Sequence, residues 1–204
     1  MGKTADRLLT EATQLFADRG YEGTSVRAIC TAAEANVNAV SYHFGGKKGL
    51  YAAVLRSMGD DRLASAQRIL GAPPSNRTEL ETRLLLFAEE TLATLLAAPG
   101  PLIILFAEFQ QGFRNCGPEA VEGLAEQNRV VIEFLQGAAD AGLLRSSADL
   151  DIVAGAFNER LNNQVMHADR IHTLYGDSIK NPEYRAHWTR QTIDLMLYGA
   201  AKPA

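Results

Sequence analysis

The feature that most constrains this chain is a helix-break-helix pattern confined to its first fifty residues. Leu8, Leu9, Ala12, Leu15 and Phe16 recur at helical spacing and place one apolar stripe on one face. The stripe stops at Arg19-Gly20, where glycine supplies the left-handed turn that ends a helix. Thr24 or Ser25 is positioned to cap a second helix that buries Val26, Ile29 and Ala33. Glu34-Ala35-Asn36 breaks the pattern, and Asn36 is a good cap for a third helix running to Phe44. Gly45-Gly46 ends that helix, and Leu50, Val54 and Leu55 carry the stripe into a fourth. Three short helices with a three-residue break between the second and third make a helix-turn-helix head.

Beyond residue 70 the character changes. Gly71-Ala72-Pro73-Pro74-Ser75-Asn76 is a strong breaker, and long helices are expected near 78–98, 101–113, 118–141, 149–175 and 183–199. No segment alternates as a strand does, and there is no internal repeat or low-complexity tract. Short loops between long amphipathic helices imply an antiparallel bundle. The expected fold is therefore all-α: a head over residues 1–50 and a helical bundle over 51–204 that would bind a ligand and dimerise.

Composition excludes several classes. Hydrophobic residues make up 47% and charged residues 22%, ordinary for a globular protein. The apolar stretch at 102–109 is too short to cross a bilayer, and the one at 84–98 carries Glu89 and Glu90, so no membrane span is expected. The first residues lead into an amphipathic stretch, not a signal-peptide core. Cys30 and Cys116 stand far apart in no metal-binding pattern, which fits a reducing cytoplasm without structural zinc or disulfides. The net charge of −4 opposes a nucleic-acid partner only superficially. Residues 1–56 hold seven Lys/Arg against five Asp/Glu, so their balance is +2 and that of the remainder −6. Electrostatics thus permit binding by the head, and local placement decides it.

A helix-turn-helix lays the start of its second helix in the major groove while flanking groups hold phosphates. Here that helix reads Val37-Asn38-Ala39-Val40-Ser41-Tyr42-His43-Phe44. Val40 and Phe44 are four apart and face the core together, leaving Asn38, Ala39, Ser41, Tyr42 and His43 toward the outside or the rim. Such groups bond base edges or phosphate oxygens, although a polar solvated face would look the same. Lys47 and Lys48 are the sharper clue. They begin the fourth helix, where the dipole disfavours a cation by about 0.3–1 kcal/mol. A phosphate docked there reverses the sign, since backbone amides and ammonium groups both favour an anion. Arg27, early in the second helix, can reach a phosphate or a guanine edge.

These residues carry a resemblance. Leu8-Leu9, Ala12, Leu15-Phe16, Gly20-Tyr21, Thr24-Ser25-Val26, Ile29, Ala32-Ala33, Tyr42-His43-Phe44, Lys47 and Leu50 together resemble the N-terminal signature of the TetR family. Val40-Ser41-Tyr42-His43-Phe44-Gly45 is similar to that family's Tyr-His-Phe-Gly branch. The resemblance implies a homodimeric transcriptional repressor that binds a palindromic double-stranded operator and is released by a small molecule. By position it makes Thr24 an N-capping phosphate contact, Tyr42 and Lys47 a backbone-contacting pair, and Arg27 a base reader in some members. Two departures stand out: Glu34 occupies the turn where the family usually has Gly, and Ser41 replaces the first of two aromatics. Glu34 must therefore manage without glycine's freedom and is expected to point away from DNA.

The bundle is less legible. Phe87, Phe106, Phe109, Phe113 and Phe134 are enough aromatics to line a pocket, although an aromatic stripe is more often core. Gln110, Asn158, Asn162 and His167 are polar groups on otherwise apolar segments and are candidates to orient a ligand. The resemblance implies that the last two long helices pair with those of a second subunit, which would make Phe157, Val165, Trp188, Leu195 and Tyr198 partly interfacial. An enzyme is not expected. His167 and His172 are five apart and point to different sides of a helix, and no glycine loop, nucleophile elbow or paired catalytic carboxylates occur. No cofactor or metal is expected. A helical adaptor whose head binds protein is the remaining alternative, and it would not need Tyr42, Lys47 and Lys48 on one side.

Overall fold

The chain is described by a computed structural model covering residues 2–145 and 147–199. Ten α-helices run through the described residues, joined by turns and one short 3-10 segment, with no strand. They are α1 (Lys3–Arg19), α2 (Val26–Ala32), α3 (Val37–Phe44), α4 (Lys47–Leu70) and α5 (Arg77–Ala97). There follow α6 (Gly100–Gln111), α7 (Glu122–Asp140), α8 (Leu150–Met166), α9 (Ala168–Tyr175) and α10 (Pro182–Tyr198). The all-α expectation holds, and the head helices begin and end where their caps indicate. Two differences concern the later chain. Residues 118–121 form a 3-10 turn ahead of α7, and the helix expected over 149–175 is broken at His167 (φ −113°, ψ 13°) into α8 and α9. Neither Gly nor Pro marks that break.

The chain packs as two compact units. The first comprises residues 2–61 and 98–124, the second 62–97 and the described residues from 125 onward. In the first, α1 turns Ala5, Leu8, Ala12 and Phe16 inward, as the stripe requires. Its core includes Ile29, Val40, Leu50, Val54 and Leu55, and the rings of Phe16 and Tyr51 meet edge-on at 4.8 Å. The helix α6 packs along α1 in the same unit. The second unit is built on α5, which packs against both α8 and α10. Its buried face carries Leu80, Leu84, Phe87, Ala88, Leu92 and Leu95, and Phe157 of α8 lies 6.3 Å from Phe87.

Both cysteines are buried free thiols. Among the described residues no single helix is long and apolar enough to cross a membrane.

Candidate nucleic-acid interface

The turn before α3 is set by backbone hydrogen bonds and by one side chain from α1. Ala35 N donates to Cys30 O at 2.9 Å, which reverses the chain immediately after α2. Glu34 takes φ 48°, the left-handed region, so the turn keeps the conformation a glycine would supply. Arg7 clamps it from the side by donating to the carbonyls of Ala33 and Glu34. Asn36 then caps α3, its Oδ1 accepting from Asn38 N at 2.9 Å. At the far end Gly45 stands at φ 72°, and its N–H and that of Gly46 return to Ser41 O and Val40 O. A Cβ at Gly49 would lie 1.7 Å from Phe44 O, so only glycine lets the first turn of α4 approach the end of α3 this closely.

This frame gives α3 two unlike faces. Val40 is wholly buried and Phe44 half-buried, as their spacing requires. Asn38, Ser41, Tyr42 and His43 are exposed, Tyr42 at 85%, and Ala39 lies at the rim. The Tyr42 and His43 rings meet edge-on at 4.9 Å, so each limits the other's rotation. Arg27 and Lys48 are exposed as well. Lys47 does begin α4, but its ammonium sits 4.2 Å from the centre of the Tyr21 ring. That contact contributes about 0.5–1 kcal/mol, enough to offset the dipole penalty without any phosphate. Lys47 therefore has a folding role too, and exposed Lys48 retains the sequence reasoning in its simple form.

Thr24 requires a correction. It is 1% exposed, and its hydroxyl is held by the carbonyls of Leu15 (3.0 Å) and Gly20 (2.9 Å), so it neither caps α2 nor reaches a phosphate. The cap is Ser25, whose Oγ accepts from Ala28 N at 3.1 Å.

The residues expected to line a ligand pocket are distributed over both units. In the first, Phe109 is 59% exposed and meets Phe113 edge-on at 5.2 Å, with Phe106 half-buried and Gln110 exposed. In the second, Phe87 and Phe134 are fully buried, Asn158 is buried, Asn162 half-buried and His167 exposed. Two buried charged groups stand out: Glu108, one of the polar residues that crowd the 101–113 segment with Gln110, and Arg62, which sequence reasoning missed. Glu108 of α6 is fully buried and accepts from the Tyr51 hydroxyl (3.0 Å) and from Asn115 through its backbone N–H (3.1 Å) and side-chain amide (2.8 Å). Arg62 of α4 is also buried and donates to Asn162 Oδ1 at 3.0 Å. Sequence alone does not say that either is enclosed, because charged residues recur along amphipathic helices and only packing shows which are buried.

The expected interfacial residues divide in the same way. Phe157, Val165 and Trp188 are buried within their own chain, and the Arg160 guanidinium covers the Trp188 ring at 5.2 Å. Val165 and Trp188 belong to the protomer's core, which corrects that expectation, whereas Phe157 is buried but also lines a groove beside Leu195. Leu195 and Tyr198 are exposed. Leu195 lines this largely apolar groove of about 580 Å³ together with Ile152, Val153, Ala156, Phe157 and Met196, with polar Glu159, Arg160, Asn163, Gln164 and Thr192 also in its walls.

Comparison with known proteins agrees with this geometry. The model described as bacterial regulatory proteins, tetR family, matches residues 8–54. Over 47 residues the chain is 47% identical to the Probable HTH-type transcriptional regulator YttP of Bacillus subtilis (strain 168), a match spanning 23% of each chain. The chain thus matches under a quarter of that relative's length. A longer match, 28% identical over 155 residues, covers 74% of this chain and 72% of the HTH-type transcriptional repressor KstR2 of Rhodococcus jostii (strain RHA1). Among solved structures, the fatty acid degradation regulator FadR of Bacillus halodurans has a TM-score of 0.77 at 16% identity, covering 100% of this chain and 99% of its own. FadR of Bacillus subtilis, in complex with stearoyl-CoA, has a TM-score of 0.75 at 13% identity, covering 96% and 99%. At those identities the likeness is one of fold.

Proposed function

We propose, from the match of residues 8–54 to the tetR family of bacterial regulatory proteins, that the protein is a DNA-binding transcriptional repressor released by a small molecule. Residues 1–50 are the reading head. Asn38, Ser41 and His43 contact base edges, with Ala39 close to them at the groove. Tyr42, Lys47, Lys48, Ser25 and Arg27 hold the backbone, Arg27 reaching a base where the sequence allows. The observation that carries this reading is the two-faced α3, with Val40 buried on one side and Asn38, Ser41, Tyr42 and His43 exposed beside the start of α4. A helix with one narrow apolar face turned inward and a bare polar face fits a major groove.

Residues 51–204 take the ligand and make the dimer. Pairing through α8 and α10 is supported by the groove at Ile152, Ala156, Leu195 and Met196, an apolar surface a second copy would cover. Two copies related by a twofold axis require an operator of two inverted half-sites. The fold relative bound to stearoyl-CoA supports a ligand with a large apolar part. Release requires that the ligand bind the DNA-incompetent state more tightly than the competent one. Such a regulator works in the cytoplasm and needs no catalytic group.

Selection of bound DNA from a random pool tests the reading. An inverted repeat supports both head and dimer, whereas a pool that gains no common sequence sinks it.

A further inference from the structure

Arg62 is only 7% exposed, and among the described residues no Asp or Glu pairs with it. Its Nη1 donates to Asn162 Oδ1 at 3.0 Å, and its Nε is buried with no hydrogen-bond partner. Burial pulls the guanidinium down to about 10, which still leaves it charged at neutral pH. A buried charge is normally both paired and hydrogen-bonded, and this one is neither fully.

Its hydrogen-bond partner among the described residues, Asn162, is a neutral amide. Asn158 precedes Asn162 by one turn of α8, so the two share a face. Asn158 donates to Asn128 Oδ1 and accepts from Gln127 Nε2, both at 2.9 Å. Amides orient a cation's partner but cannot neutralise the cation. The same side of α8 buries Ala154, Phe157, Leu161 and Val165, so the polar groups are set along an apolar wall. All of these residues lie in the second compact unit.

We propose that Arg62 and Asn162 form the polar end of a ligand site in that unit, and that its ligand is a small organic carboxylate with an apolar body. The proposal rests on the reading of the chain as a ligand-released regulator. The Nε edge of Arg62 is unpartnered and closed to solvent, and once the packing over it opens a guanidinium edge presents two parallel N–H groups to one carboxylate, a geometry a lysine or an amide does not offer. One carboxylate also matches one cation. A phosphate monoester brings nearly twice the charge, which a single guanidinium matches less well.

Calorimetric titration of the full-length protein without DNA tests this. The probes are straight-chain carboxylates from butanoate to octadecanoate, benzoate, and the matching alcohols and alkyl phosphates. At least one carboxylate is expected to bind about tenfold or more tightly than its own alcohol, the ratio a charge-assisted bond supplies. Arg62→Met is expected to abolish that preference while unfolding at the parent's temperature or above, because it removes an unpaired buried charge. Should Arg62→Met not fold, Arg62→Gln gives the same comparison. The site is overturned if no carboxylate outbinds its alcohol, if alkyl phosphates outbind the carboxylates, or if the Arg62 variants keep the preference. Fluorescence anisotropy of bound DNA separates this result from the functional reading. A carboxylate that binds through Arg62 yet leaves DNA bound upholds the site and contradicts release by that ligand. A compound that frees DNA equally from parent and Arg62→Met upholds release and overturns the site.

Discussion

Arg7 of α1 holds the left-handed turn at Glu34, its Nη2 donating to the Glu34 carbonyl at 2.8 Å while Nε bonds the Ala33 carbonyl at 2.9 Å. Glu34 stands at φ 48°, where a non-glycine residue costs about 1–2 kcal/mol. The side-chain ion pair between them is 3.9 Å long and exposed, so the carbonyl bonds carry the contact. Glu34→Gly is accordingly expected to raise stability by up to about 1 kcal/mol, and Arg7→Ala to lower it by about 1–2 kcal/mol. Urea denaturation measures both. A less stable Glu34→Gly protein would show that the turn is not strained.

The exposed residues of α3 are expected to divide by role. Asn38→Ala and His43→Ala are expected to change which sequences are recovered from a random DNA pool, at about 1–3 kcal/mol per contacted base pair. Tyr42→Phe should weaken all sequences alike, since a phosphate bond carries no sequence information. An unshifted preference in Asn38→Ala would remove that residue from readout.

On α8 and α10 the exposed and buried apolar residues should behave oppositely. Leu195 is 47% exposed at the groove, so Leu195→Glu is expected to shift the protein toward monomer in sedimentation with little change in protomer packing. Phe157 is buried, and Phe157→Ala is expected to lower stability by about 3–5 kcal/mol. A monomer–dimer balance unaffected by Leu195→Glu would place the interface elsewhere.

The buried cluster at Glu108 makes the first unit sensitive to alkali. Burial, then the charge and hydrogen bond of Glu108, push the Cys116 thiol from 9.0 up to about 12. Burial and the bond to Glu108 also raise the Tyr51 phenol. Both groups hold their protons more tightly folded than unfolded, so stability is intact below about pH 9 and falls as pH climbs toward 12. Urea midpoints between pH 7 and 11 should therefore decline above about 9, and less steeply in Cys116→Ala. A flat profile for both proteins would mean that the thiol is not enclosed.

How much could be read in advance follows from what each residue's role depends on. Asn36, Gly45 and the stripe from Leu8 to Phe16 act through neighbours within one or two helical turns, so their spacing already defines the head. Ser25 and Thr24 are adjacent hydroxyls with equal capping chemistry. Only the packing of α1 decides that Thr24 turns inward to the Leu15 and Gly20 carbonyls. Arg62 and Glu108 are harder still, because the partner of Arg62 lies 100 residues away and Tyr51, which with Asn115 encloses Glu108, lies 57 away. Trp188 and Phe157 have the composition of an interface and the position of a core, a difference that periodicity does not encode.

The central claim, that the head grips DNA through phosphates beside α3, is tested most directly by salt dependence. Anisotropy of a labelled operator recovered from the pool is measured at several salt concentrations for the parent and for Lys48→Ala. The logarithm of affinity should fall linearly with that of salt, by about 0.9 per phosphate contact, and Lys48→Ala should flatten the slope by about one. A parent whose affinity is indifferent to salt, or a Lys48→Ala slope equal to the parent's at unchanged affinity, would contradict the account.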